Sequence, residues 1–598
     1  MAIARLKKVV ILGESTSKKA ILEALQESAL LHLIPLNDVK DQISTLSYEN
    51  LKDALHYLKT SPQKRRLQTP RNLDNIENRI DEILLNKRNR AQVVDKIELI
   101  KNRIKDVTPW GDFEFPQLDS LNGYRFWFYT VPLSKKVLLE ELSLPWKILG
   151  LDHKQLYIVA VSQSEPSDNE MPFTRVHVGS RSLSQLNIDL DEAFVELEDL
   201  NAERESLTRW IKPLTHSLDE TINLARLAKA SGLTFDADQC FALTAWISVH
   251  STGELEKIRK QVPFAYTLKD PDKTDNPPTL LHNSDLVGGG ETAVSFFQLP
   301  GYRSWDPSTI LFFSFSLFFA IILADAGYAI ILGGLLAVKW KDMSRSRSGR
   351  RLRNLFTSII ITSTLYGIVI GSYFGIVLPE GSFLAKLQIL NLNDFSTMMK
   401  LSIGIGVLHL LIANCFALWK HRQSYIALSN LGWLLVISSS YLLWLSFLKN
   451  DQVLSLDNFL CQLFIFGLTL VICFSTKRKI KSWSDLSLKT FDGVISFYKI
   501  TKAFGDVLSY MRLFALGLSS ASLAVTFNQL AVSASESVPA GGFILFTLII
   551  LFGHVLNFIL AIMSGVIHGL RLNLLEFYNW SIEGEGYPFE AFKRNQDK

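Results

Sequence analysis

Apolar positions along this 598-residue chain change their habit near residue 306. Before it, short apolar stretches alternate with charged ones. After it come long apolar runs at about 309–338, 355–378, 399–418, 426–448, 459–474, 494–532 and 543–580. The loops at 339–353, 420–422 and 477–481 are basic, whereas those at 379–394, 449–457 and 534–540 are nearly neutral or slightly acidic. Basic loops stay on the cytoplasmic side of a bilayer, so with the soluble half inside, the run at 309–338 must begin and end on that side. Thirty residues make a helix of about 45 Å, enough for two short segments turning at Asp325-Ala326-Gly327. The count becomes eight transmembrane segments with cytoplasmic N- and C-termini. The last two runs are about 60 Å long if helical, roughly twice the hydrocarbon thickness, and are expected to be long and tilted.

The first half reads as α+β. Residues 8–12 form a β-branched run ending at Gly13, 18–26 have helical spacing and 30–36 read as a second strand, a small βαβ-like unit. Leu73, Ile76, Ile80, Ile83, Val94, Ile97 and Ile104 follow an imperfect heptad seam interrupted by Lys87, Arg90 and Lys101 and ended by Pro109. A second seam runs through Ala193, Leu197, Leu200, Leu207, Ile211, Leu214 and Leu218, with Arg204 as a defect and Pro213 as a kink. Strand-like runs at 124–131, 155–161 and 175–178 lie between them around a helical 135–142. The predicted layout is two lobes joined by long antiparallel coiled-coil helices, over 1–270, then a Pro/Gly-rich linker at 271–305 and an all-α polytopic membrane half at 306–598. A plain globular domain with solvated helices is the simpler alternative for the first half.

Composition narrows the function. The chain holds 62 Lys and Arg against 58 Asp and Glu, a net charge of +4, which argues against nucleic acid as a partner. Cys240, Cys415, Cys461 and Cys473 are scattered without CxxC or metal-ligand spacing, so neither disulfides nor a metal site is expected. The N-terminus lacks a signal-peptide pattern. Neither Gly13 nor Gly288-Gly289-Gly290, followed by Glu291, continues into the Lys-Ser/Thr of a phosphate loop, so no nucleotide site or cofactor is expected.

The chemistry concentrates in the last two runs. Arg512 sits well inside an apolar stretch, where a fixed charge costs roughly 3 kcal/mol or more. On a helix Gly505, Ser509, Ser519, Ser522, Thr526 and Gln529 share its small or polar face, which lets another helix approach closely; Asp506 lies a turn and a half away. In the last run His554, Asn557, Ser564, His568 and Arg571 line up, with Glu576 beyond them, a sequence of titratable and amide groups suited to ion relay. Asp325 serves either as a turn former or as a lining group. Bland readings stand beside these: Arg571 can snorkel, and Asp506, His568 and Glu576 can be structural partners of the arginines. His409 and Asn414 are expected to serve helix packing.

At these residues the chain resembles the membrane stator subunit of V/A-type rotary ATPases, the subunit a or subunit I family. The stretches that carry the resemblance are MAIARLKKVVILG, NPPTLLHN, DPSTILFFSFSLFFAIILADAGYAI, GDVLSYMRLFALGL, FGHVLNFIL and VIHGLRLNLLEFYNWSIEGEGYPFEAF. The resemblance implies a non-catalytic subunit of an ion-translocating ATPase, of the bacterial or archaeal branch and plasma membrane. It implies a rotor proteolipid ring, peripheral stalk subunits and other ATPase subunits as partners, with H⁺ or Na⁺ as the ion. Arg512 matches the family's indispensable arginine, Arg571 its second arginine, and Glu576 an acidic position of bacterial relatives. The family's eukaryotic branch has a histidine where this chain has Ser520 and acidic residues near Tyr498 and Ala561, so His568, His554 and Asn557 are the candidates for the outer ion path. A secondary transporter or ion channel with a cytoplasmic regulatory domain is the alternative; it predicts internal repeats, and none is visible. A membrane-anchored scaffold would leave both polar stripes unexplained.

Overall fold

A computed structural model describes residues 3–595 apart from 38–45, 67–75, 115–122, 140–141, 153, 168–169, 377–378, 380, 393, 449–457, 475–497, 538–540 and 583. The loops expected at 449–457 and 477–481 therefore lie outside the described residues. The chain opens with β1 (Leu6–Glu14), α1 (Lys18–Ser28) and β2 (Leu31–Ile34). These do not make an adjacent βαβ unit. A later strand inserts between them, because the same fold contributes β8 (Cys240–Ser248), whose residues pair antiparallel with both.

Between these strands come α2 (Leu46–Lys59), α3 (Ile76–Val107), β3 (Arg125–Pro132), β4 (Trp146–Leu151), β5 (Gln155–Ser162), β6 (Thr174–Val176), α4 (Leu183–Leu207), α5 (Ile211–Gly232) and β7 (Phe235–Asp236). After β8 follow α6 (Thr252–Gln261) and β9 (Ala265–Lys269), completing a sheet of order β2-β8-β1-β9 with β7 on β8, a split, ferredoxin-like arrangement. Ile21, Leu22 and Leu25 of α1 cover its face with Val9, Ile11, Leu243 and Ile247. The second sheet has the order β4-β5-β3-β6. The helical stretch expected at 135–142 is instead a 3₁₀ segment, Leu133–Leu139.

α3 and α4 run antiparallel. Asn86 donates to the Leu200 carbonyl at 3.1 Å, Arg90 to Asn201 at 2.8 Å, and Lys96 pairs with Glu196 at 3.3 Å. Val93 and Ile97 meet Ala193 in the seam. Arg204, a defect by pattern, is buried and occupied: Nη2 donates to the Tyr57 carbonyl at 2.6 Å and to Thr60 Oγ1 at 2.9 Å, with the guanidinium 4.1 Å from the Tyr57 ring centre. It ties α2 across the helix pair. Helix direction is interrupted by a 3₁₀ turn at Thr208–Trp210, and Pro213 falls in the first turn of α5, where its missing N–H has no helical partner to lose.

The stretch read as linker carries α7 (Gly288–Phe297) and β10 (Leu299–Pro300). Its glycines are there for contact: a Cβ on Gly290 would strike the Ser308 carbonyl, and one on Gly289 would strike Arg351 and Leu355. The helical half follows: α8 (Ser308–Leu323), α9 (Ala326–Ser344), α10 (Arg347–Ile370), α11 (Phe383–Lys386), α12 (Phe395–Lys420), α13 (Ile426–Phe447), α14 (Phe459–Phe474), α15 (Tyr498–Ser509), α16 (Met511–Ser537) and α17 (Gly542–Arg571). A π-helical turn (Leu572–Phe577), α18 (Tyr578–Ser581) and β11 (Glu585–Gly586) complete it. Among the described residues five helices are long and apolar enough to cross a membrane: Arg347–Ile370, Phe395–Lys420, Ile426–Phe447, Lys499–Ser537 and Gly542–Ser581. Ser308–Leu323 and Phe459–Phe474 are shorter apolar helices.

The break between α8 and α9 is built at Ala324, with φ 48°, and Asp325, whose Oδ1 caps α9 by accepting from the Tyr328 N–H at 3.0 Å. Its Oδ2 accepts from the Ser372 hydroxyl at 2.8 Å. α10 shows that the chain reverses here. Ala326 N–H reaches the Ser372 carbonyl at the end of α10 (2.9 Å), while Arg353 near its start donates to Ser344 at 2.6 Å. At that same start Arg351 holds Glu291 and the Asn283 carbonyl, each at 3.1 Å, beside the entry to α8. Ser308 and Ser344 thus lie at one end of the bundle and Asp325 at the other.

Arg204→Ala should cost the first half about 2 kcal/mol, since charge-assisted bonds and a ring contact are lost from a buried site. Amide exchange across α2 and the facing parts of α3 and α4 should then rise by roughly thirtyfold. Unchanged protection there would show that the buried guanidinium contributes nothing.

Candidate functional site

α16 presents two different faces. Leu513, Gly517, Ser520, Ala524 and Ala531 are buried against the chain's own bundle, with Gly517 so close to α8 that a Cβ would meet the Ile321 carbonyl at 2.5 Å. The opposite side carries Ala515, Ser519, Ser522, Thr526 and Gln529, all exposed. Arg512 stands at the margin of this uncovered small and polar face, and its Nη1 is buried without a hydrogen-bond partner among the described residues. A buried, unsatisfied donor on a charged group is costly enough to require an account.

Arg512 is not alone. Both Arg512 and Arg571 lie within electrostatic reach of Glu576 and of His568. Ser509 lies beside the Glu576 carboxyl, whose Oε2 is buried and without a partner among the described residues, as is His568 Nδ1. The π-helical turn explains how Glu576 joins this group. On an unbroken α-helix it would sit roughly 140° around from Arg571, at about 100° per residue over five residues. The wider i→i+5 turn advances less per residue, so Glu576 falls back toward the stripe. Asn573 stabilises the bulge by donating to the Gly569 carbonyl at 2.9 Å and meeting the Ser314 hydroxyl of α8.

A second polar group lies toward the Asp325 end. Asn528 Nδ2 donates to the Phe374 carbonyl at 2.8 Å, which orients its Oδ1 toward His554 Nε2, 2.9 Å away. His554 Nε2 must then carry the proton, and Nδ1 accepts from the Tyr328 hydroxyl at 2.7 Å. Tyr328 Oη in turn accepts from Asn557 Nδ2 at 3.1 Å, and Asn557 also donates to the Ser520 carbonyl at 2.9 Å. Every donor finds an acceptor. His554, Tyr328, Asn528 and Gln529 line a cavity of about 1090 Å³ whose remaining walls are mostly apolar, from Ile331, Phe374, Val525, Phe546 and Phe558 among others.

The expected residues therefore divide. Arg512, His568, Arg571 and Glu576 come together, and His554, Asn557 and Gln529 belong to the other end with its cavity. Ser519 lies on the uncovered face. Asp506 belongs to neither group by hydrogen bonding: its Oδ2 accepts from the Trp580 indole at 2.7 Å, fastening α15 to α18. Asp325 caps α9 and binds Ser372 beside the cavity's Tyr328. His409 packs as expected, 2.8 Å from the Tyr510 hydroxyl and stacked on Phe577. Tyr328 and Asn528 escaped sequence reasoning. Tyr328 lies inside the quoted ADAGYAI stretch, but nothing in helical periodicity pairs it with a residue 226 positions away. Among the described residues no cluster of His, Cys, Asp or Glu could hold a metal ion.

Residues 503–594 match the V-type ATPase 116kDa subunit family. The chain is 25% identical over 624 residues to the V-type ATP synthase subunit I of Borreliella burgdorferi, covering 99% of each. To the V-type ATP synthase subunit I of Chlamydia pneumoniae it is 25% identical over 600 residues, 87% of this chain and 86% of the relative. The A-type ATP synthase subunit I of Methanocaldococcus jannaschii is 26% identical over 453 residues, 67% of this chain and 63% of its own length. A crystal structure of the cytoplasmic N-terminal domain of subunit I aligns over its full length with 44% of this chain at 13% identity; the TM-score of 0.23 is too low to compare folds.

Removing one hydroxyl tests the network at the Asp325 end. Tyr328→Phe leaves His554 Nδ1 and Asn557 Nδ2 short of a partner and should cost about 1–3 kcal/mol, read as a lower thermal midpoint of the purified chain in detergent. Asn557→Leu, which also crowds the Ser520 carbonyl, should cost at least as much. An unchanged midpoint in both would mean that the network is not held.

Proposed function

The resemblance to the V/A-type ATPase subunit I family holds along the chain, and on that premise we propose that this membrane protein is the stator subunit that carries ions past a rotating ring of proteolipids. The observation that supports this most directly is Arg512, with its unpartnered Nη1 at the edge of an uncovered small-residue face. A guanidinium in that position needs a counter-charge, and a rotor carboxylate passing the face would supply one in turn.

The first half is the cytoplasmic arm, its antiparallel α3–α4 pair acting as a coiled-coil rod between two lobes and its far end meeting peripheral stalk subunits. The helical half crosses the membrane eight times, α8 and α9 as a short hairpin and the last two segments tilted along the ring. Both termini are cytoplasmic, in a bacterial or archaeal plasma membrane. Each rotor carboxylate is neutral while it faces lipid. Beside Arg512 its charged form is favoured, because an opposite charge nearby lowers a carboxyl pKa. The ion leaves by one half-channel and a new one enters by the other. The Asp325-end cavity with His554, Asn557 and Gln529 serves the outer half-channel; Glu576 and Arg571 serve the inner, and His568, a sequence candidate for the outer path, joins them because it lies within reach of Arg512 and Arg571. Arg512 also blocks a direct leak between them, a task suited to a guanidinium that keeps its proton in a low dielectric.

In the assembled ATPase, Arg512→Ala should abolish ATP-driven ion pumping while hydrolysis persists uncoupled. Arg512→Lys should fail as well, since an ammonium loses its proton far more readily when buried. Pumping at the unmodified rate by the assembled Arg512→Ala complex would sink the proposal. Glu576→Gln, which keeps shape and removes the charge, should slow pumping at least tenfold without loss of assembly, measured by dye quenching in proteoliposomes.

A further inference from the structure

Residues 585–595 leave the last helix and run along the first lobe. β11 pairs with β10 across Leu299–Gly586 and Pro300–Glu585. Thr279 N–H then donates to the Tyr587 carbonyl at 2.8 Å, and Tyr587 Oη to the Asn276 carbonyl at 2.8 Å. Beyond this point the segment reaches the lobe itself. Glu590 N–H donates to His32 Nδ1 at 2.9 Å, Phe592 N–H to the Leu31 carbonyl at 2.7 Å and Arg594 N–H to the Gln26 carbonyl at 3.1 Å. The Phe592 ring is 7% exposed and completes the core of the β2-β8-β1-β9 sheet. Asn595 forms a reciprocal pair with the buried Asn223 of α5: its N–H donates to Asn223 Oδ1 at 2.7 Å, and Asn223 Nδ2 donates back to its carbonyl at 3.1 Å. Arg226 adds a bond to the Lys593 carbonyl at 3.1 Å.

We infer that this segment is a second tether, and that Phe592 and Asn595 are positioning residues for the Arg571–Glu576 end of the ion path. The inference rests on the stator reading above. Without the segment, the arm would join the helical half, among the described residues, through the stretch at 271–305, which the first strand already holds by the Ala4 N–H on the Leu280 carbonyl at 2.8 Å and the Leu6 N–H on Tyr302 Oη at 2.9 Å. An arm held at that one site can still swing about it, whereas a second, separate attachment removes that rotation. The tether grips α5, the helix that returns from the arm, so load borne by the arm passes directly into the last helix. From there it has a short route to the site. The Ser581 carbonyl accepts from the Trp305 indole at 2.9 Å, and Trp305 meets Phe577, next to Glu576, edge-on at 6.0 Å. Phe577 stacks on His409 at 4.4 Å, fixing the π turn against α12.

The test uses the complete ATPase complex in proteoliposomes. Phe592→Asp, and a chain ending at Pro588, should keep ATP hydrolysis within about twofold and lower ions pumped per ATP at least fivefold. Amide exchange should rise across 571–577. Phe592→Leu should restore coupling. Full coupling in an assembled Phe592→Asp complex overturns the tether. Arg512→Ala run in parallel separates the two ideas, because pumping retained there defeats the stator reading itself. Where the tail variants do not assemble, a His32→Cys, Glu590→Cys pair in a background without the native cysteines decides the matter. The oxidised, cross-linked complex should pump within about twofold of its reduced form. Loss of pumping on cross-linking, reversed by reductant, would show a segment that must detach in each cycle and overturn a fixed tether.

Discussion

The packing of the helical half leaves the Arg512 guanidinium incompletely bonded among the described residues. Arg512 Nη1 is buried and unpartnered, a state that folding alone does not favour. α16 turns Leu513, Gly517 and Ser520 inward and leaves Ser519, Ser522 and Thr526 outward. Small residues on that side allow a second backbone to come close, and in the proposed stator role that backbone belongs to the rotor.

The surrounding structure serves to hold this position. Glycines set the spacing: Gly517 lets α16 touch the α8 carbonyls, Gly406 makes room for Tyr510, and Gly565 and Gly569 admit Phe319 and Phe315 against α17. The buried His409–Tyr510 pair links α12 to the junction of α15 and α16, and the Asp506–Trp580 bond links α15 to α18. Rigid contacts of this kind suit the proposed stator role, in which one charge is presented at one place while a partner moves.

Some of this was legible in advance. The reversal at Asp325 followed from run length and loop charge, and the structure breaks the helix at Ala324 and caps it with that same Asp325. The polar faces of the last two helices followed from 100° periodicity. Periodicity fails where the backbone departs from it, as in the π turn that re-aims Glu576. It also fails where partners are remote in sequence. β8 enters between β1 and β2 from more than 200 residues away. Arg204 looked like a defect because its partners are remote in sequence, Tyr57 on α2 and Thr60 just past its end. Asp506 read equally as an ion-path group or as a partner for the arginines, and the folded chain gives it the Trp580 indole as a hydrogen-bond donor.

The sequence by itself determined the division into two halves, the helical character of the second and the residues able to carry charge there, because hydropathy and helical phase are local properties. Only the tertiary structure decided which of those residues meet. It placed Glu576 with Arg512, His568 and Arg571, gave His554 the unforeseen Tyr328 and Asn528, and brought residues 585–595 back onto the first lobe. Such meetings depend on helix crossings and close backbone approach between distant segments. No repeat or spacing along one strand of sequence encodes them separately from the folded whole.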